Sequence, residues 1–151
     1  MKSTIICGIF AILMLPFPAA ASLGGDVTSV QADVAKMQAT LKTSNGDSYT
    51  VHELQTATGV AVKEYASSAG KIFAVTWKGP THPDLRQLLG SYFEQFVQAE
   101  QAERAQRHGH GPVFIQQPGL VVQVAGHMRS FAGRAYVPQM MPAGVQLGDI
   151  R

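Results

Sequence analysis

The chain has 151 residues, 12 Lys and Arg against 10 Asp and Glu, a formal charge of +2 and one cysteine. Such a balance, with the basic residues scattered, argues against a nucleic-acid partner, which requires a basic stripe or patch. With Cys7 as the only thiol, no disulfide can form within the chain and no thiolate metal site can be completed.

Residues 1–21 read as an export signal. Lys2 supplies a positive start, Ile5 to Leu15 an apolar run, and Pro16 and Pro18 end it. Ala19 and Ala21 place small residues where a signal peptidase needs them, so cleavage is expected after Ala21. The apolar run is far shorter than the roughly 20 residues a spanning helix requires. Removal of this segment takes Cys7 with it and leaves a thiol-free chain starting at Ser22. The expected destination is the periplasm or the cell exterior, with no transmembrane segment in the mature chain.

Residues 22–138 are then expected to form a single domain, with 139–151 as a surface tail. Leu23-Gly24-Gly25 reads as a flexible entry and Asp26 as a helix cap. Val27, Val30 and Val34 have the spacing of a short amphipathic helix that ends near Lys36. From Met37 the period drops to two, and Asn45-Gly46 predicts a type I′ hairpin turn into a strand over 48–56. Strands over 60–66 and 71–78, separated by turn residues, complete a four-strand antiparallel meander. Phe73, Val75 and Trp77 are expected on one of its faces.

Thr81-His82-Pro83-Asp84 resembles a capping box with Asp at its last position. Leu85, Leu88, Leu89, Tyr92, Phe93, Phe96 and Val97 predict one long helix whose apolar stripe covers the sheet. Gly90 inside it suggests close approach to the sheet, and Gly109 and Gly111 are expected to end the helix. Two further strands are expected at 120–124 and 128–137, with a bulge or bend at Gly133. This order predicts an α+β fold: an antiparallel sheet, a meander of four plus a C-terminal strand pair, covered by one short and one long amphipathic helix.

Gly59 to Phe96 contains Gly-Val-Ala-Val-Lys-Glu-Tyr-Ala, Gly-Lys-Ile-Phe-Ala-Val-Thr-Trp-Lys-Gly-Pro and Pro-Asp-Leu-Arg-Gln-Leu-Leu-Gly-Ser-Tyr-Phe. Together with Ala-Ser-Leu-Gly-Gly at 21–25 and Gly-His-Met-Arg-Ser-Phe-Ala-Gly-Arg-Ala-Tyr-Val-Pro at 126–138, the chain resembles a family of small exported proteobacterial proteins of unknown function. The resemblance implies a bacterial envelope location and carries no activity, ligand or catalytic residue. Lys63 departs from its pattern, in which Arg precedes Glu-Tyr.

Three groups of residues could carry chemistry. His108-Gly109-His110 with His127 could hold Zn²⁺ or Cu²⁺, although the pair also suits a helix end; His52 is a further imidazole, and Met128, Met140 and Met141 are more simply packing residues. Glu53 and Glu64 lie on predicted strands and could do acid/base work as a small hydrolase or isomerase if they faced one cleft. No Ser stands in a nucleophile elbow. Arg129, Arg134 and Tyr136 form the most distinctive polar group, able to hold an anion, or alternatively to pair with Glu64 or Glu53 and fix strand register. Alternation puts Arg129 and Phe131 on one face and Arg134 and Tyr136 on the other. The reading that follows is a non-catalytic binding or interaction module without a cofactor, whose partner is an envelope protein or a small anionic ligand.

Overall fold

The computed structural model describes residues 22–106 and 111–151. A 3-10 turn, Val27–Ser29, leads into helix α1 (Val30–Met37). Strands β1 (Ala39–Asn45), β2 (Tyr49–Thr56), β3 (Ala61–Ser67) and β4 (Ile72–Gly79) follow. Helix α2 (Leu85–Leu89), a 3-10 turn (Gly90–Tyr92) and helix α3 (Phe93–Gln106) lead to β5 (Val113–Gln117), β6 (Leu120–His127) and β7 (Ser130–Tyr136). All strand pairs are antiparallel and form one sheet of order β1-β2-β3-β4-β7-β6-β5. The fold is α+β, as the element order predicts, with the meander in place.

The C-terminal part holds three strands rather than a pair. β5 lies between Pro112 and Pro118, and β7 inserts between β4 and β6, which joins the two groups into one sheet. The long helix is also interrupted. Gly90 has φ +51° and ψ −121°, outside helical space, and a Cβ there would overlap the Ser22 side chain. The glycine thus makes room for the N-terminal segment, not for the sheet. That segment is pinned rather than flexible: Leu23 is buried, its N–H donates to Leu88 O, and Gly24 N–H and Ile72 N–H exchange bonds across to Ile72 O and Gly25 O.

Local chemistry explains other departures. Asp84 is itself the cap of α2, its Oδ1 accepting from the Arg86 and Gln87 amides at 2.9 and 3.2 Å, so Pro83 stays outside the helix. The β1–β2 turn spans residues 46–48, Gly46 has no positive φ, and Thr50 Oγ1 donates to Asn45 Oδ1. A two-residue type I′ turn is therefore not formed. The sheet's register shift falls at Tyr65/Ala66 against β4, not at Gly133. There Phe73 is the extra residue and joins the opposite face from Val75 and Trp77, packing with Tyr49 and Tyr65 at ring separations of 6.2 Å. Gly133 instead pairs with Trp77 across the β4–β7 seam, and a side chain at 133 would overlap the indole.

The sheet's inner face carries Leu54, Val62, Val75, Trp77, Val122 and Ile115, which pack with Leu88, Leu89 and Phe96 to form the main core. On the outer face, Tyr65, Phe73, Ala74, Val121 and Tyr136 pack with Ile150. Residues 138–151 run over this end of the outer face. Tyr65 Oη fixes them by donating to Arg151 O and accepting from Arg151 N, at 2.8 and 2.9 Å.

Candidate functional site

The tail covers only part of the outer face, and the uncovered part is a groove of about 730 Å³, within the ~300–1,000 Å³ of typical ligand sites. Strand register builds it in two neighbouring rows. The first row runs Glu53, Lys63, Thr76, Arg134, Gln123, Phe114, each paired with the next across six strands. The second runs Ala61, Lys78, Ala132, Ala125. Alternation along each strand puts both rows on the outer face, and the short alanines of the second leave a trough. Ile150 and Arg151 of the tail contribute to its wall.

Charge in the groove is mostly positive: Lys63, Lys78, Arg134 and Arg151 line it against Glu53 alone. Two of these cations are already committed to the tail. Arg134 donates from Nε to Gln123 Oε1 at 2.7 Å and from Nη1 to Leu147 O at 2.9 Å, while Lys63 Nζ donates to Arg151 O at 3.1 Å. Lys78 has no such engagement among the described residues. It also borders a smaller cavity of about 330 Å³ whose lining includes Arg129, Ala61 and Pro80. The two cavities share Ala61 and Lys78, so Arg129 extends the groove's positive end. Arg129 itself occupies the β6–β7 hairpin turn at φ +60°.

The C-terminal hairpin thus places Arg129 and Arg134 at different points of one surface, where Arg129 stands in the turn rather than on the face of Phe131. Tyr136 shares the outer face with Arg134, as alternation predicts, but is buried in the outer cluster beneath the tail. Glu64 is on the inner face. An ion pair between Glu64 and either arginine is therefore ruled out by the register, which sets Glu64 opposite His52 and Val75. Glu53 and Glu64 fall on opposite faces for the same reason and share no cleft.

Glu64 belongs to a second polar group, buried beneath α1. Glu64 and Asp33 are both fully buried, and Gln87 nearly so. Gln87 Nε2 donates to Asp33 Oδ1 at 2.6 Å. Burial, the negative charge of Asp33 and a hydrogen bond between the carboxyls push Glu64 up to about 9, so it is a neutral acid at pH 7. Among the described residues no N–H or alcohol hydroxyl donates to either Glu64 oxygen. His52, next to Glu64 on β2, has its pKa lowered by burial and its Nδ1 within 3.1 Å of Thr43 Oγ1. The group is sealed by the core rather than open to a cavity, except through Gln87, which lines a separate 400 Å³ cleft.

Asp33 has a sequence signal: Val30, Asp33, Val34 and Met37 are spaced i, i+3, i+4, i+7, so an acid occupies the apolar stripe. Glu64 has one too, lying between Val62 and Ala66 in a period-two run. Lys78 and the alanine row have none. The imidazoles His108 and His110 lie outside the described residues, and His127 is exposed at the end of β6. Among the described residues no three His, Cys, Asp or Glu side chains converge as a metal site, and no helix is long and apolar enough to cross a membrane.

No curated protein and no solved structure matches the chain. A family model described as "Protein of unknown function (DUF2844)" matches residues 19–150, nearly all of the chain and every element that builds the groove, and the chain belongs to that family.

Proposed function

We propose that this protein is an exported, non-catalytic binding module of the bacterial envelope that holds a small anionic ligand in its outer-face groove. The observation that carries the reading is the positive end of that groove. Lys78 and Arg129 border a shared cavity, and neither makes an ion pair with an acidic side chain among the described residues. Neighbouring unpaired cations beside an apolar trough supply charge for an anion and area for its remainder. Export is supported by the character of residues 1–21, with Lys2, the apolar run and Ala19-Ala-Ala21.

Two measurements test this. An epitope-tagged full chain is expected in the periplasmic or secreted fraction, shortened at its N-terminus to Ser22; a full-length product in the cytoplasm refutes export. Trp77, the only tryptophan, contributes to the groove lining and reports binding by fluorescence. A panel of carboxylates and phosphates is expected to change its emission where their uncharged analogues do not, and a Lys78→Ala/Arg129→Ala variant is expected to lose the response. Equal responses from variant and wild type refute the site.

A further inference from the structure

Resting on this reading of the groove, we infer that its ligand is a single-chain anionic amphiphile, with an acyl chain along the alanine row and its anionic head between Lys78 and Arg129. The distribution of free charge comes first. Arg134 and Lys63 are spent holding the tail; of the groove's other cations, Arg151 stands on the tail side, while Lys78 adjoins Arg129 across the neighbouring cavity and the two form a pair open to a ligand. A polyanion gains from spaced charges; a molecule with one anionic head gains from a clustered pair.

The rest of the trough is apolar. From Lys78 on β4 the row crosses Ala132 on β7 and Ala125 on β6, and diagonally beyond Ala125 stands Phe114 on β5, the end of the neighbouring row and also part of the groove lining. Three strand spacings make this path roughly 14 Å. Phe114 is 50% exposed, one of the few large apolar side chains left open to water among the described residues. A small anion at Lys78 and Arg129 leaves Phe114 uncovered. A chain attached to that anion covers it, and affinity rises with each methylene buried along the trough. Both ends of the trough are thus used by one molecule, with complementary charge at the head and apolar contact along the chain.

The test titrates the full mature chain with dodecanoate, hexanoate, dodecyl maltoside and hexaglutamate, each amphiphile below its micelle concentration, following Trp77 emission and heat. Circular dichroism checks that the fold persists throughout. Dodecanoate is expected to bind at least tenfold tighter than hexanoate and than dodecyl maltoside. Lys78→Ala/Arg129→Ala is expected to weaken dodecanoate at least tenfold, and Phe114→Ser, at an exposed position, to shrink the preference for the longer chain. Equal affinity for dodecanoate and hexanoate, or for dodecanoate and the maltoside, overturns the inference. Binding of hexaglutamate alone, lost in the double variant, overturns the amphiphile and keeps the groove as an anion site. No binding of either anion removes both.

Discussion

The proton on Glu64 makes the protein's stability depend on pH in a direction opposite to that of an ordinary salt-bridged carboxylate. In the unfolded chain Glu64 has its ordinary value of 4.5; folded, it is raised to about 9. The folded state therefore binds the extra proton between these values, and the stability it contributes is complete below pH 4.5 and lost as pH rises through 9. At pH 7, keeping the proton costs on the order of 3 kcal/mol, from 2.5 pH units at ~1.36 kcal/mol each. That is a large share of the ~5–15 kcal/mol of a typical domain. Glu64→Gln keeps the shape and supplies an amide that can donate to Asp33 as the protonated acid does. The variant is expected to be more stable than wild type at pH 7 by up to about 3 kcal/mol, with the gap closing at pH 4 and widening at pH 8.5. Urea unfolding followed by Trp77 emission at the three pH values measures it. Parallel stability curves for the two proteins, separated by a constant offset, would falsify the buried neutral acid.

Three further substitutions probe the β4–β7 packing, the α2 cap and the tail. Gly133→Val drives a side chain into the Trp77 indole and is expected to cost about 1–3 kcal/mol with a shift in Trp77 emission; an unchanged melting temperature refutes the packing. Asp84→Ala removes the cap that accepts from Arg86 and Gln87 N–H, with an expected loss of about 1 kcal/mol in denaturant unfolding; no loss means the α2 start is held by packing alone. Tyr65→Phe deletes the hydroxyl that both donates to and accepts from Arg151. It is expected to make residues 138–151 more sensitive to limited proteolysis at little cost to global stability, and an unchanged cleavage rate assigns the tail's anchorage to Ile150 and Arg134.

Much of the architecture is legible in local patterns. The period-two run through Met37, Ala39 and Leu41 and the Leu85-to-Val97 stripe are legible because an element that buries one face must repeat its apolar residues at its own period, and β3 and β4, the latter buried on both faces, are marked by the turn residues that bound them. β5 is hidden for the opposite reason: five residues, Val-Phe-Ile-Gln-Gln, offer no full alternation, and only the flanking Gly111-Pro112 and Pro118-Gly119 dipeptides, the second a turn with Gly119 at φ +81°, mark its bounds. The face taken by Phe73 is invisible because one extra residue in a strand reverses every assignment after it, and nothing local marks where the extra residue falls. At the groove, Arg129 and Arg134 stand out by composition, whereas Lys78 gains its meaning only from pairing with Ala132. Three alanines are unremarkable in three separate strands and become a trough only side by side.

The seam between β4 and β7 has a consequence for folding order. Every other strand pair joins neighbours in sequence, while this one brings Val75 to Ala135, sixty residues on. Hairpins close over short loops at small entropic cost, so β1 to β4 and β5 to β7 are expected to form as two separate units, with the non-local pairing following at the added cost of a long loop. The groove floor crosses this seam, Lys78 on one side and Ala132 on the other. Its binding surface therefore comes into being with the final docking of the two halves, and an occupant lying across it would slow their separation more than it speeds their assembly.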